Sequence, residues 1–225
     1  MIELANISKK YKDKIIFNDL NLTLEDEKFI ALVGQSGSGK TTLLNILGGL
    51  DLKYDGQYEI IIDNDIKNMK DIDYQEKYRL DYFSYIFQDF NLINYLSVYD
   101  NIVLPLKYQK KKIDNEKIES TCKELGIYEL INKKVKYLSG GEKQRVSIAR
   151  CLLLDTKYIL ADEPTGSLDY DNTIKTIEML KNIVKKHNKT VIVVTHNLFV
   201  LDYFDEVYET DCEKFLKIFM LKLNY

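Results

Sequence analysis

Gly34-Gln35-Ser36-Gly37-Ser38-Gly39-Lys40-Thr41 is the stretch whose residue types and spacing most directly imply chemistry. It fits G-x-x-x-x-G-K-[ST] and lies between the apolar run Phe29–Val33 and the helical run TTLLNIL, the strand-turn-helix setting that the pattern requires. Glycines at 34, 37 and 39 let backbone N–H groups turn inward and ring a phosphate, and the helix start adds the positive end of its dipole. Lys40 would contact the β and γ phosphates, Thr41 would offer its hydroxyl to Mg²⁺, and Thr42 closes the turn. The turn calls for a nucleotide without deciding which one.

A second group follows the apolar run 158–161, where Asp162 and Glu163 are adjacent carboxylates. Strand alternation would point them in different directions, so that Asp162 serves Mg²⁺ while Glu163 orients and deprotonates an attacking water. An isolated pair of this kind is commonly just solvated. Here, however, Gln88 ends the strand pattern SYIF, His196 ends VIVVT and the phosphate turn ends FIALV. Four polar groups thus cap four expected strands, and in an open parallel sheet ligands bind at the carboxyl ends of strands. A neutral His196 there could hold the γ-phosphate and orient Glu163 or the water, whereas His187, inside KKHNK, reads as an exposed turn residue.

Ser139-Gly140-Gly141-Glu142 precedes the helical pattern KQRVSIARCLLL. A serine cap followed by two glycines presents N–H groups at a helix start, which suits either a second phosphate contact or an ordinary capped helix.

The elements that must position these groups can be read from the apolar pattern. Short strands are expected over 2–4 and 15–17, then Phe29–Val33, a strand over 57–62 after the Asp55-Gly56 turn, and another over 83–87. Residues 91–138 are mainly helical in pattern. The runs 29–33, 158–161 and 191–194 are short and continuously apolar, as parallel strands buried on both faces should be. Their alternation with helices argues for a doubly wound α/β core carrying a helical insertion between the strand ending near Phe87 and the one starting near Tyr158.

Composition narrows the partners. With 32 Lys plus Arg against 35 Asp plus Glu, the net charge of −3 argues against general attraction to nucleic acid or anionic lipid. The longest apolar runs are far shorter than the roughly 18 to 20 residues that span a bilayer, and the first residues lack a signal-peptide core. A cytoplasmic protein without direct membrane insertion is expected, reaching a membrane only through a protein partner. Cys122, Cys151 and Cys212 are widely spaced with no C-x-x-C, which suggests neither a disulfide framework nor a zinc site.

Taken in order, GQSGSGKTT, the glutamine of YIFQDF, LSGGEKQR, YILADEPTGSLD and VVTH resemble the nucleotide-binding subunit of ABC transporters, over a span reaching about Glu206. The resemblance implies an α/β fold: a P-loop NTPase core with a mainly parallel sheet, an N-terminal antiparallel β subdomain and an inserted α-helical subdomain at about 91–150, all within a single domain covering 1–225, with 207–225 left unassigned. It implies that the ligands are ATP and Mg²⁺ and that Tyr11 stacks on adenine. Gln88 would contact Mg²⁺ and sense the partner, Ser139 and Gly141, flanking Gly140, would bind a γ-phosphate, and Asp169 would communicate between sites. It also implies an ATPase that forms a homodimer on binding ATP and works at the inner face of the cell membrane through an integral membrane permease subunit.

ADEPTGSLD and FQDFNLINYLSVYDNIVLPL are further similar to the branch of lipoprotein-release, macrolide-export and antimicrobial-peptide-resistance ATPases, which includes the cell-division ATPase FtsE, although Ser167 stands where that branch usually has Asn. Export or extraction of a peptide, lipoprotein or drug follows from this likeness. The alternative is FtsE-like signalling through a membrane partner to cell-wall enzymes. The interval between Thr41 and Ser139 carries no heptad run, unlike chromosome-structure ATPases, and the chain has one such unit where translation-factor relatives carry two.

Overall fold

The structure is a computed structural model that describes residues 1–12, 14–71, 73–210 and 215–218. In chain order it runs β1 (Ile2–Tyr11), β2 (Lys14–Leu24), β3 (Phe29–Val33), α1 (Lys40–Leu47), β4 (Asp55–Ile62), β5 (Asp65–Asn68), α2 (Gln75–Tyr82), β6 (Phe83–Ile86), α3 (Val98–Tyr108), α4 (Asn115–Glu124), α5 (Gly140–Leu154), β7 (Tyr158–Asp162), α6 (Tyr170–His187), β8 (Thr190–Val194), β9 (Glu206–Thr210) and β10 (Phe215–Ile218). The strands form two sheets, an antiparallel one in the order β2-β1-β4-β5 and a six-stranded one in the order β10-β9-β3-β8-β7-β6. The second is parallel except for β10, which pairs antiparallel with β9.

The parallel sheet lies in the middle because its strands are apolar on both faces. All five residues of β3 and of β8 are buried. Alternation then sorts them into two cores. Phe29, Ile159, Ala161, Val191 and Val193 point to the side covered by α3 to α6. Ile30, Tyr158, Leu160, Ile192 and Val194 point to the other, where α1 and the antiparallel sheet close over them. One consequence matters for the site: β3, β6, β7 and β8 all end on the same edge.

The expected strands over 2–4 and 15–17 are fragments of much longer ones. Their pairing shifts register between Leu4 and Ile7, and Asn6 and Asp19 take positive φ of 53° each. Such bulges break the period-two pattern that marks a strand in sequence. Two elements, β5 and α2, carry no expectation at all; α2 has no fully buried residue and meets the core only through the partly buried Tyr78 and Tyr82. Of the unassigned segment 207–225, β9 and β10 extend the central sheet, and 211–214 and 219–225 lie outside the described residues. Among the described residues no helix is long and apolar enough to cross a membrane.

Where α1 ends, Gly48 packs against Tyr85 so closely that an added Cβ would fall 1.2 Å from the tyrosine hydroxyl oxygen. That hydroxyl is buried without a hydrogen-bond partner among the described residues. Gly48→Ala should therefore destabilise by about 1–3 kcal/mol through overpacking. Tyr85→Phe should be neutral or stabilising by about 1 kcal/mol, because it removes a buried donor that bonds nothing. Urea unfolding midpoints check both, and a strongly destabilised Tyr85→Phe would show that the hydroxyl has a partner.

Candidate functional site

The turn between β3 and α1 is built on backbone that side chains would obstruct. Gly34 has φ +140°, and a Cβ there would meet Thr210 Cγ2 at 2.3 Å; Gly39 has φ +97°, and a Cβ there would meet the Phe17 ring at 2.9 Å. β9 and β2 thus press on the turn from two sides. Lys40, only 8% exposed, donates from Nζ to the carbonyl oxygens of Gly34 at 2.8 Å and Gln35 at 2.7 Å, leaving one of its three N–H groups for a ligand. Burial lowers the Lys40 pKa, opposed by the nearby Glu163 and Asp162 carboxylates. Ser38 Oγ is buried with no hydrogen-bond partner among the described residues. An orphaned hydroxyl beside a caged ammonium suits an anion that accepts from both.

The acid pair diverges, but by a turn of the backbone after Asp162 instead of the strand alternation expected from the sequence. Asp162 Oδ1 accepts from Thr41 Oγ1 at 3.3 Å, which joins the end of β7 to the start of α1. Glu163 leaves the strand with φ +46°, an uncommon left-handed conformation for a non-glycine residue, and its N–H donates to Val194 O at 3.0 Å. Its Oε1 lies 2.8 Å from His196 Nδ1 at the end of β8. The imidazole is otherwise open, with 73% of its side-chain surface exposed against 17% for Glu163. Burial raises the Asp162 pKa; the Thr41 hydroxyl opposes this, Glu163 adds to it and Lys40 opposes it.

Of these groups Gly39, Lys40, Thr41, Glu163 and His196 share one cleft of about 430 Å³, lined also by Ser36, Gly37, Thr42, Tyr11, Lys14, Ile16 and Val194, while Asp162 reaches its edge through Thr41. Tyr11, Glu163 and His196 are thereby brought to the phosphate turn from far away in sequence. Lys14 and Ile16 escaped the sequence reading, since only the pairing of β2 with β1 sets them beside the turn; Lys14 Nζ is 3.5 Å from Gly37 O.

Other expected residues stand elsewhere. Gln88 is exposed beyond β6, with its amide beside Gly166 in the loop that follows Glu163. Ser139 caps α5 in a reciprocal box with Glu142: Ser139 N–H donates to Glu142 Oε2 at 2.7 Å, and Glu142 N–H to Ser139 Oγ at 3.3 Å. Asp169 caps α6 by accepting from Asn172 N–H at 2.8 Å, and Asn172 Oδ1 would lie 3.0 Å from a Cβ on Gly141. Ser139, Gly140 and Asp169 therefore lie close together at the starts of α5 and α6, with Gly141 buried against Asn172, and none of the four lines the cleft.

The donor set fits Mg²⁺. Thr41 and Asp162 present a hydroxyl and a carboxylate oxygen side by side, and this hard cation takes few protein ligands beside phosphate oxygens and water. No group of three or more His, Cys, Asp or Glu able to hold a metal occurs among the described residues, so a cation here would depend on phosphate for its remaining ligands.

A glycine-rich turn joining a buried parallel strand to a helix, with carboxylates at the end of a strand in the same sheet, defines a P-loop NTPase. The ABC transporter family matches residues 17–166. An ABC transporter ATP-binding protein of Methanocaldococcus jannaschii, MJ0796, is 40% identical over 92% of both chains. The bacitracin export ATP-binding protein BceA of Halalkalibacterium halodurans is 35% identical over 92% of this chain and 83% of its own. A solved dimeric structure of MJ0796 in a post-hydrolysis state, bound to ADP and Pi, superposes with a TM-score of 0.82 at 34% identity over 97% of this chain and 98% of that one. The chain belongs to the ABC transporter family, and it is an ATP-binding, ATP-hydrolysing cassette.

Because its environment holds the Asp162 pKa above the ordinary carboxylate value, stability falls as pH rises through the interval between the unfolded and folded pKa, and the ionised group is a cost at neutral pH. Asp162→Asn should then give a ligand-free protein with a higher Tm at pH 7 than the wild type, the gain vanishing in acid, while ATPase activity falls by about 100-fold or more. Calorimetry and phosphate release check the two halves; a lower Tm at pH 7 would refute the assigned burial cost.

Proposed function

We propose that this chain is the ATPase subunit of a transporter whose permease is a separate membrane protein, and that two copies close head to tail on ATP to drive it. The observation that carries the reading is the separation within one chain of two anion-binding starts. The phosphate turn, Glu163 and His196 share a cleft, while Ser139 and Gly141 lie outside it. For Ser139 and Gly141 to meet a γ-phosphate, they must come from a second copy, and two-fold symmetry then makes two equivalent sites. The dimeric structures of MJ0796 support association of two copies.

In each site Lys40 and the turn's N–H groups would hold the β and γ phosphates. Thr41 and Asp162, with Gln88 from the neighbouring loop, would hold Mg²⁺, which when bound screens the phosphate charge. Glu163 would accept the proton of the attacking water, and His196, paired with it at 2.8 Å, would fix that carboxylate's orientation. Asp169 would relay between the two sites from its place near Gly141.

A permease has a place to dock on the helical part. An apolar groove of about 520 Å³ opens there, lined among others by Phe87, Ile93, Leu104, Pro105 and Tyr108. It adjoins the segment after Gln88, in which Leu92 packs into the core and Tyr95 is 77% exposed. Likeness to BceA favours export of, or resistance to, a peptide-like substrate.

Glu163→Gln should bind MgATP yet hydrolyse it at least about 100-fold more slowly, since an amide cannot take the water's proton. Gel filtration with ATP should then show a stable dimer of this variant. An ATP-loaded monomer at all concentrations would contradict the proposal.

A further inference from the structure

Tyr11 enters the cleft from the end of β1, and its ring is not left to find its own orientation. Lys9, two residues earlier on the same strand face, is 4% exposed, and its Nζ lies 4.5 Å from the Tyr11 ring centroid. That ammonium is neutralised by Asp51, with Nζ 2.7 Å from each carboxylate oxygen, and it also donates to Lys53 O at 2.6 Å. Tyr11 closes the cycle by donating its hydroxyl proton to Asp51 Oδ2 at 2.6 Å. Asp51 is fixed in turn by the end of the phosphate helix, because its N–H donates to Asn45 O, in α1, at 3.1 Å. Lysine, carboxylate and phenol thus tie the Tyr11 ring to the helix that begins with Lys40 and Thr41.

The tie leaves the ring one free face. Tyr11 lines the cleft whereas Lys9 does not, and the Lys9 ammonium lies over one face of the ring. Held between the ammonium and the Asp51 carboxylate, the ring plane is fixed, which favours stacking of a heteroaromatic base on its other face. We propose that Lys9 and Asp51 are positioning residues for the nucleotide base: they hold the Tyr11 ring so that its open face receives a purine at a fixed distance from the phosphate turn. The inference rests on the ATP-site reading above and adds to it the groups that set the base platform.

The test separates base from phosphate affinity by titrating wild type and variants, with Mg²⁺ present, against ATP and against inorganic tripolyphosphate. Tyr11→Ala should weaken ATP binding about 10-fold and leave tripolyphosphate unchanged, since one base–aromatic stack is lost. Asp51→Asn and Lys9→Met should each weaken ATP alone by about 3- to 10-fold, Lys9→Arg should retain most of the affinity, and adding Asp51→Asn to Tyr11→Ala should cost nothing more. Tyr11→Phe keeps the ring and the Lys9–Asp51 pair but loses the hydroxyl tie, so a severalfold loss for ATP tests the proposal even where Asp51 variants do not fold. Unchanged ATP affinity in Tyr11→Phe and Lys9→Met, or equal losses for both ligands, would overturn the positioning role. If Tyr11→Ala alone changes ATP affinity, the base platform stands and the Lys9–Asp51 tie is wrong. If Lys40→Ala binds both ligands as wild type does, the ATP-site reading itself fails.

Discussion

A lysine ammonium held away from water is the constraint on which the site depends. Lys40 is satisfied by the Gly34 and Gln35 carbonyls, and those carbonyls point at it because the turn adopts backbone angles that only glycine takes without strain. That turn in turn fixes its neighbours. Thr210 of β9 and Phe17 of β2 approach the glycines within distances that a methyl group would violate, so both sheets are packed around the cage. The central strands bring Asp162 and Glu163 alongside, and the field of these carboxylates opposes the lowering of the Lys40 pKa by burial.

The same arrangement explains why the acids divide their work. Asp162 ends a strand and bonds Thr41, whereas Glu163 turns out of the sheet with a left-handed backbone and meets His196. Adjacent carboxylates pointing the same way would repel each other within one pocket; the change of backbone region after β7 separates them. Local strain at Glu163 is thus held by its N–H bond to Val194 and by its contact with His196, and it aims the carboxylate into the cleft.

Much of this was legible in the sequence because strand ends in a parallel sheet converge. The apolar runs at 29–33, 158–161 and 191–194 gave the sheet, and the polar residues following them gave Lys40, Thr41, Asp162, Glu163 and His196. The less legible parts depended on pairing, which no local pattern records. Bulges hid most of β1 and β2, and with them the placement of Lys14 and Ile16 beside the turn. The Lys9–Asp51–Tyr11 cycle joins residues on β1 to the end of α1, a contact set by sheet register, not by spacing. α2 escaped because only the partly buried Tyr78 and Tyr82 mark its inner face, too short a pattern to detect.

The central claim is that each ATP is held by two copies of the chain, the phosphate turn of one facing Ser139 and Gly141 of the other. The most direct measurement mixes two inactive variants, Lys40→Ala and Gly141→Asp, and follows ATP hydrolysis. In a mixed dimer one site carries both defects and the other carries neither. With random exchange and independent sites, mixing should restore roughly a quarter of wild-type activity. No recovery, together with a purified mixed dimer that fails to retain one ATP per pair, would contradict the shared site and return Ser139 and Gly141 to the role of an ordinary helix cap.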